Sequence, residues 1–294
     1  MLVPTTAILY DGSMSELVLA RRDGPVLVLT LNDPERANPL SAPLADRLYR
    51  DLAAAAEDRT LRAIVLTGAG RHFSAGADLA ALERLAEGGT EADNREDSER
   101  LERLYAELLD HPKLTVAAVH GAAIGGGCGL ATACDLVIAE RSARFGYTEI
   151  TIGFIPALVS TFLTRRVTGG VARRLLLDPG LVDGARAVEL GLADELVDDG
   201  VAIEAAIARA RSIAHKSSAA ALAATKRLLN LSVGMGWRDA LMAASRANVQ
   251  QRRHPDCRHG VRTFLATKST PDWLAEGDAP AEPTRRDEDL GSGG

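Results

Sequence analysis

Three glycines, Gly125, Gly126 and Gly127, stand together in HGAAIGGGCGLATACDLVIA, residues 120–139. Consecutive glycines let a backbone approach a ligand closely and leave N–H groups unobstructed. Aligned donors of that kind stabilise an oxygen that gains negative charge during a reaction. The same triplet also suits a tight turn with close helix–strand packing, and alone it does not choose between the two. A second small-residue turn, Ala75-Gly76-Ala77-Asp78, lies upstream in HFSAGADL, residues 72–79. Two donor turns at the ends of two strands are able to hold one oxygen between them. Downstream, FGYTEITIGFIPA (145–157) places a single carboxylate, Glu149, in an otherwise apolar segment. Burial disfavours an ionised carboxylate, so such a residue exchanges protons closer to neutrality. A Glu on a solvated helix face, or one in a structural ion pair, would give the same string.

The elements that must position these residues read as repeated strand–turn–helix units. VLVLTL (26–31), AIVLTG (63–68), LTVAAV (114–119) and LVIA (136–139) are apolar runs of strand length. Between the first two lies SAPLADRLYRDLAAAAED, with Ser41 as an expected N-cap and Leu44, Leu48 and Leu52 on one helix face. Units of this kind stacked in series predict a layered α/β spiral. Residues 86–110 are charged first and helical later, which reads as a surface loop before a helix, or alternatively as a lid over an acyl tail. After about residue 200 the sequence turns to alanine-rich amphipathic helices. The expected division is a spiral core over 15–200, a helical region over 201–275 and a disordered tail over 276–294, where charge, Gly and Pro dominate.

Composition narrows the function classes. Aromatic residues make up only 4% of the chain, so the core must be aliphatic. The net charge of −6 comes with no basic face, which argues against a nucleic-acid partner. Cys128, Cys134 and Cys257 lack metal-ligand spacing, and the six histidines form no cluster, so no metal is expected. An odd cysteine count without a basic, apolar leader points to reduced thiols and a cytoplasmic setting. No run reaches the ~18–20 apolar residues of a membrane span.

Taken in order, SAGADL, IGGGCGLATACDL and FGYTEITIGFIPA resemble the crotonase superfamily of enoyl-CoA hydratases and isomerases, from roughly Leu17 to Leu274. RANPLS (36–41) resembles the family's CoA-contacting loop, and LVDGARAVELGLADELV (181–197) its segment where the chain leaves the core. The resemblance implies a crotonase-type spiral of ββα units with a helical C-terminal trimerisation region, in a homotrimer or dimer of trimers. It implies an oxyanion hole from the N–H groups of Ala77 and Gly126, and Glu149 as the catalytic acid/base. It places Ala37, Ala75, Gly76, Asp78, Leu79, Gly125 and Gly129 against an acyl-CoA thioester. Phe264 and Lys268 would then stand near a neighbouring subunit's CoA, or else serve as a core Phe and a surface Lys. Coenzyme A is part of the substrate, and no separate cofactor is implied. One departure stands out. Gly129 takes the position at which family hydratases carry a first glutamate, leaving Glu149 alone. That pattern is closest to glycine-bearing methylglutaconyl-CoA hydratase-like members. The expected activity is enoyl-CoA hydration. An enoyl-CoA isomerase and a non-catalytic CoA-thioester binder are the alternatives. Asp78, Tyr147 and Glu140 are neighbours in motif order that would be able to assist a lone glutamate.

Overall fold

A computed structural model describes residues 16–275, so the expected tail at 276–294 and the reading of the N-terminus lie outside the described residues. The elements run β1 (Val18–Asp23), β2 (Val26–Leu31), α1 (Ala42–Glu57), β3 (Ala63–Gly68), α2 (Leu79–Gly88), α3 (Glu91–Asp110), β4 (Leu114–Val119), β5 (Ala122–Ile124) and α4 (Gly126–Ala133). There follow β6 (Leu136–Glu140), β7 (Arg144–Gly146), a 3₁₀ turn (Glu149–Ile152), α5 (Ala157–Phe162), α6 (Gly169–Leu177), β8 (Val182–Asp183), α7 (Gly184–Glu189) and β9 (Glu195–Val197). Four helices complete the described chain: α8 (Ala202–Lys216), α9 (Ala219–Ser232), α10 (Trp237–Arg253) and α11 (Pro255–Thr267).

The apolar runs form the middle of a six-stranded sheet of order β1-β2-β3-β4-β6-β9. β2, β3, β4, β6 and β9 are parallel, and only the edge strand β1 is antiparallel. Every residue of β3 and β4 is buried, as expected of parallel strands covered on both faces. One face packs on α8, whose Ala202, Ala206, Ile207 and Ala210 share a core with Val28, Val65 and Val116. The other face carries the larger core, with Leu44, Leu48 and Leu52 of α1 and Leu104 and Leu108 of α3.

Above that core lies a second sheet of order β5-β7-β8. The chain twice runs long strand, short strand, helix, at β4-β5-α4 and β6-β7-α5, and the turns after β2 and β3 add only the isolated bridges Leu40–Ala77 and Ser74–Ala123 at the corresponding places of the crotonase-type spiral. Periodicity in the sequence marks only one strand per unit. β5, three residues long, is too short to register as an apolar run beside the six-residue β4. Because β3 and β4 are parallel neighbours, with Ala63 opposite Leu114, the loops leaving both ends emerge side by side.

Two local expectations are corrected. The loop expected before the α3 helix is itself helical from Glu91, closed by a capping box in which Thr90 and Asp93 satisfy each other's backbone N–H. A strong N-cap and an acidic first turn outweigh the polarity that suggested a loop. Ser41 does occupy the N-cap of α1, but its hydroxyl makes no capping bond and is buried without a partner among the described residues.

Candidate active site

Two chain segments meet above the ends of β3 and β4. The first is the 36–41 loop together with the 73–78 turn. Asn38 is fully buried and pins it: its Oδ1 accepts from Asp33 N at 2.8 Å, and its Nδ2 donates to Ala69 O at 2.9 Å and His72 O at 2.8 Å. Ala37 and Asn38 both adopt left-handed backbone, with φ of 61° and 54°. That conformation lets Ala37 O accept from Ala75 N at 2.8 Å while Leu40 N donates to Gly76 O at 2.7 Å. Gly76 has φ +92°, and a Cβ there would sit 2.5 Å from Ile124 O and 3.2 Å from Gly126 N. Only glycine brings this turn so close to the second segment.

The second segment is β5, Gly125 and the first turn of α4. Gly125 turns the chain with φ +53°, and its N–H donates to Gly146 O at 2.8 Å. Gly126 is then the first residue of α4, whose N–H has no intrahelical acceptor. A Cβ on Gly126 would lie 4.0 Å from Ala77 N. A residue's own N and Cβ are ~2.5 Å apart, so the two nitrogens are at most about 6.5 Å from each other. Donors reaching one oxygen at ~3.5 Å or less lie within about 7 Å, so these two are close enough to share it. Among the described residues, neither N–H has a hydrogen-bond acceptor.

Glu149 begins the 3₁₀ turn after β7, and its carboxylate lies over Gly125, with Oε1 3.1 Å from where a Cβ would be. Its Oε2 is buried and has no partner among the described residues. Burial pushes its pKa above the ordinary carboxylate value, and no ion pair pulls it back. The ion-pair and solvated-face alternatives for Glu149 are thereby set aside.

The place of the absent glutamate is filled by other residues. A Cβ on Gly129 would meet Val159 Cγ2 at 2.5 Å and the Tyr105 hydroxyl oxygen at 3.1 Å. Tyr105 comes from α3, donates to Gly126 O at 2.9 Å and packs against Phe162 with ring centroids 5.4 Å apart. Burial, reinforced by the nearby Glu149, holds the Tyr105 phenol well above its usual pKa.

The structure gives the three possible helpers other work. Asp78 caps α2 through Ala81 N and pairs with Arg36 at 3.0 Å, tying the two loops together. The Tyr147 hydroxyl is buried within 3.2 Å of Thr132 Oγ1, on the core side of α4. Glu140 accepts from Gly200 N at 2.8 Å. Leu79 is exposed at the start of α2. Phe264 is exposed on α11, which packs on α9 and α10, so one chain does not bring it or Lys268 into these loops. Sequence reasoning missed Asn38, Tyr105 and Val159. Tyr105 left one signal, a lone aromatic on the leucine face formed with Leu101, Leu104 and Leu108. Among the described residues no group of His, Cys, Asp or Glu is arranged to hold a metal, and no helix is long and apolar enough to cross a membrane.

Comparison with known proteins identifies the family and the fold. Residues 21–275 match the family model described as enoyl-CoA hydratase/isomerase. A Thermus thermophilus protein, named provisionally as an enoyl-CoA hydratase, is 47% identical over 82% of this chain and 95% of its own length. The 1,2-epoxyphenylacetyl-CoA isomerase of Escherichia coli is 34% identical over 87% of this chain and 98% of its own. The crystal structure of an enoyl-CoA hydratase from Mycobacterium smegmatis superposes with a TM-score of 0.81 at 29% identity, over 88% of this chain and 99% of that one. Motif order, spiral architecture and sequence match coincide, and the chain belongs to the enoyl-CoA hydratase/isomerase family, the crotonase superfamily.

Proposed function

We propose that this protein is an enoyl-CoA hydratase that adds water across the C2–C3 double bond of a 2-enoyl-CoA thioester, with Glu149 as its single acid/base. The observation that carries this reading is the Glu149 carboxylate, buried beside Gly125 with an unpartnered Oε2, at the edge of the two free N–H groups of Ala77 and Gly126. The thioester oxygen sits between those donors. Water adds its oxygen to C3, its proton passes to Glu149, and the π electrons move through C2 onto the thioester oxygen. The resulting enolate is stabilised by both N–H groups, which act without reorganising. Protonated Glu149 then returns a proton to C2, restoring the carbonyl. A raised pKa suits a carboxylate that must both take and return a proton. No resident cofactor or metal is needed for these steps. Ala37, Ala75, Gly76, Asp78, Leu79, Gly125 and Gly129 line the approach of the acyl-CoA.

A second reading has its own support. Val159 occupies the space beside Gly129, and one carboxylate suffices to move a proton between two carbons, so a 3-enoyl-CoA isomerase uses the same site. Assembly as a trimer or dimer of trimers is supported by the exposed Leu229, Leu241, Phe264 and Leu265 of α9–α11, and would place Phe264 and Lys268 beside a neighbouring copy's CoA. Sedimentation showing only monomer at micromolar concentration would remove that part.

The test measures turnover of crotonyl-CoA, 3-methylglutaconyl-CoA and a 3-enoyl-CoA by the wild type and by Glu149→Gln. Gln keeps the shape but cannot exchange a proton, so kcat falls ~10²–10⁴-fold while CoA affinity is retained. Turnover of the 3-enoyl-CoA alone favours the isomerase. Unchanged binding with no turnover of any substrate by the wild type favours a binder.

A further inference from the structure

We propose that the Tyr105 hydroxyl is the group that positions the attacking water, in the place where a second glutamate would otherwise hang from residue 129. The inference rests on the hydratase reading above. Tyr105 O lies 3.1 Å from where a Cβ would be on both Gly126 and Gly129, so the phenol stands in the volume that a side chain at 129 would enter first. Its hydrogen is committed: it donates to Gly126 O at 2.9 Å. A phenolic oxygen whose hydrogen is engaged still offers a lone pair. That lone pair accepts one hydrogen of a water whose other hydrogen points to Glu149.

The ring is held for this purpose. It is almost fully buried, it stacks at a tilt on Phe162, and Leu104 and Leu108 anchor the same face of α3. Tyr105 transfers no proton in this scheme. Burial and the neighbouring Glu149 keep it neutral, so its contribution is orientation and proton exchange stays with Glu149. Water still adds its oxygen to C3, and its proton still leaves to Glu149. The role also explains how a site with one carboxylate orients a nucleophile that Glu149 alone would hold by a single hydrogen bond.

Tyr105→Phe keeps the ring and its contact with Phe162 and removes the oxygen. Two rates are read on the same protein. The first is hydration of crotonyl-CoA, which needs a water at C3. The second is exchange of the C2 proton of butyryl-CoA with deuterium from solvent, which needs Glu149 and the two N–H groups but no water at C3. Expected for Tyr105→Phe is a fall of about tenfold in hydration kcat, the rate equivalent of one ordinary hydrogen bond, with KM and the exchange rate unchanged within about twofold. A wild type that hydrates, with a variant that hydrates equally well, overturns the role of Tyr105 and leaves the hydratase reading standing. Equal falls in both rates overturn it too, by showing that the hydroxyl only props the Gly126 turn. A wild type that exchanges C2 protons but hydrates nothing overturns both.

Discussion

Gly129→Ala should be unfavourable alone and become favourable once Val159 is shortened. Gly129 lies inside α4, where alanine is intrinsically better than glycine by about 1 kcal/mol. The added Cβ, however, would stand 2.5 Å from Val159 Cγ2, short of the ~3.5–4.0 Å of a comfortable carbon contact. Overpacking of that size in a buried site costs about 1–3 kcal/mol. The balance for Gly129→Ala alone is therefore between zero and about 2 kcal/mol of destabilisation. Val159→Ala alone loses two methyl groups, about 1.6 kcal/mol at ~0.8 kcal/mol per buried carbon. In the double variant the new methyl enters vacated space, and the two changes couple favourably by about 1–3 kcal/mol. Tyr105 O, 3.1 Å from the same point, keeps the net gain over Val159→Ala below about 1 kcal/mol. The assay is denaturant unfolding of the four proteins at one protomer concentration, comparing midpoints at constant slope. Additivity within ~0.5 kcal/mol would refute the reasoning, because it would mean that Val159 does not hold the space above Gly129. The same geometry governs function. Gly129→Glu alone should be destabilised with no gain in crotonyl-CoA hydration, whereas Gly129→Glu on Val159→Ala should hydrate faster than Val159→Ala itself.

Further outcomes concern Glu149, Gly126 and Asn38. Glu149 has a raised pKa in the fold, so the kcat/KM of hydration should show an acid limb above the ordinary carboxylate range, lost in Glu149→Gln. Because its folded pKa is raised, this carboxyl favours the fold where it is protonated, and that contribution is lost as pH rises through its folded pKa. Thermal unfolding at pH 4 and 7 should thus show Glu149→Gln gaining on the wild type at the higher pH. Gly126→Pro removes one N–H at a helix position that tolerates proline, and should lower kcat by ~10²–10³. Gly126→Ala adds the same Cβ against Tyr105 and Leu40 but keeps the N–H, so equal losses in both would refute the donor role. Asn38→Ala should destabilise by roughly 3 kcal/mol, since the four bonds to Asp33 N, Ala69 O, His72 O and Phe73 O are lost and buried backbone groups are left unpaired. A change under ~1 kcal/mol in urea unfolding would count against Asn38 as the pin of the 36–41 loop.

Local features are legible in the chain alone. The apolar runs at 26–31, 63–68, 114–119 and 136–139 became β2, β3, β4 and the body of β6, because a strand buried on both faces has no polar side to disguise it. Glu149 stands out as the one charge in the apolar string 145–157, but that it is buried without an ion pair is visible only in the fold. Gly76 and Gly125 were legible because their positive φ tolerates little else. Whatever depends on which loops meet arises only in the folded molecule. Asn38 is an ordinary turn residue until the fold surrounds it with Asp33, Ala69 and His72. Asp78, Tyr147 and Glu140 are adjacent in motif order, yet strand direction sends them to a helix cap, a core hydroxyl pair and a backbone turn. The space at Gly129 is filled by Val159, 30 positions along the chain, and by Tyr105, 24 positions before it. Spacing along a sequence reports only the contacts that one element makes with itself. Contacts between α3, α4 and α5 exist only after the parallel sheet has set its helices side by side.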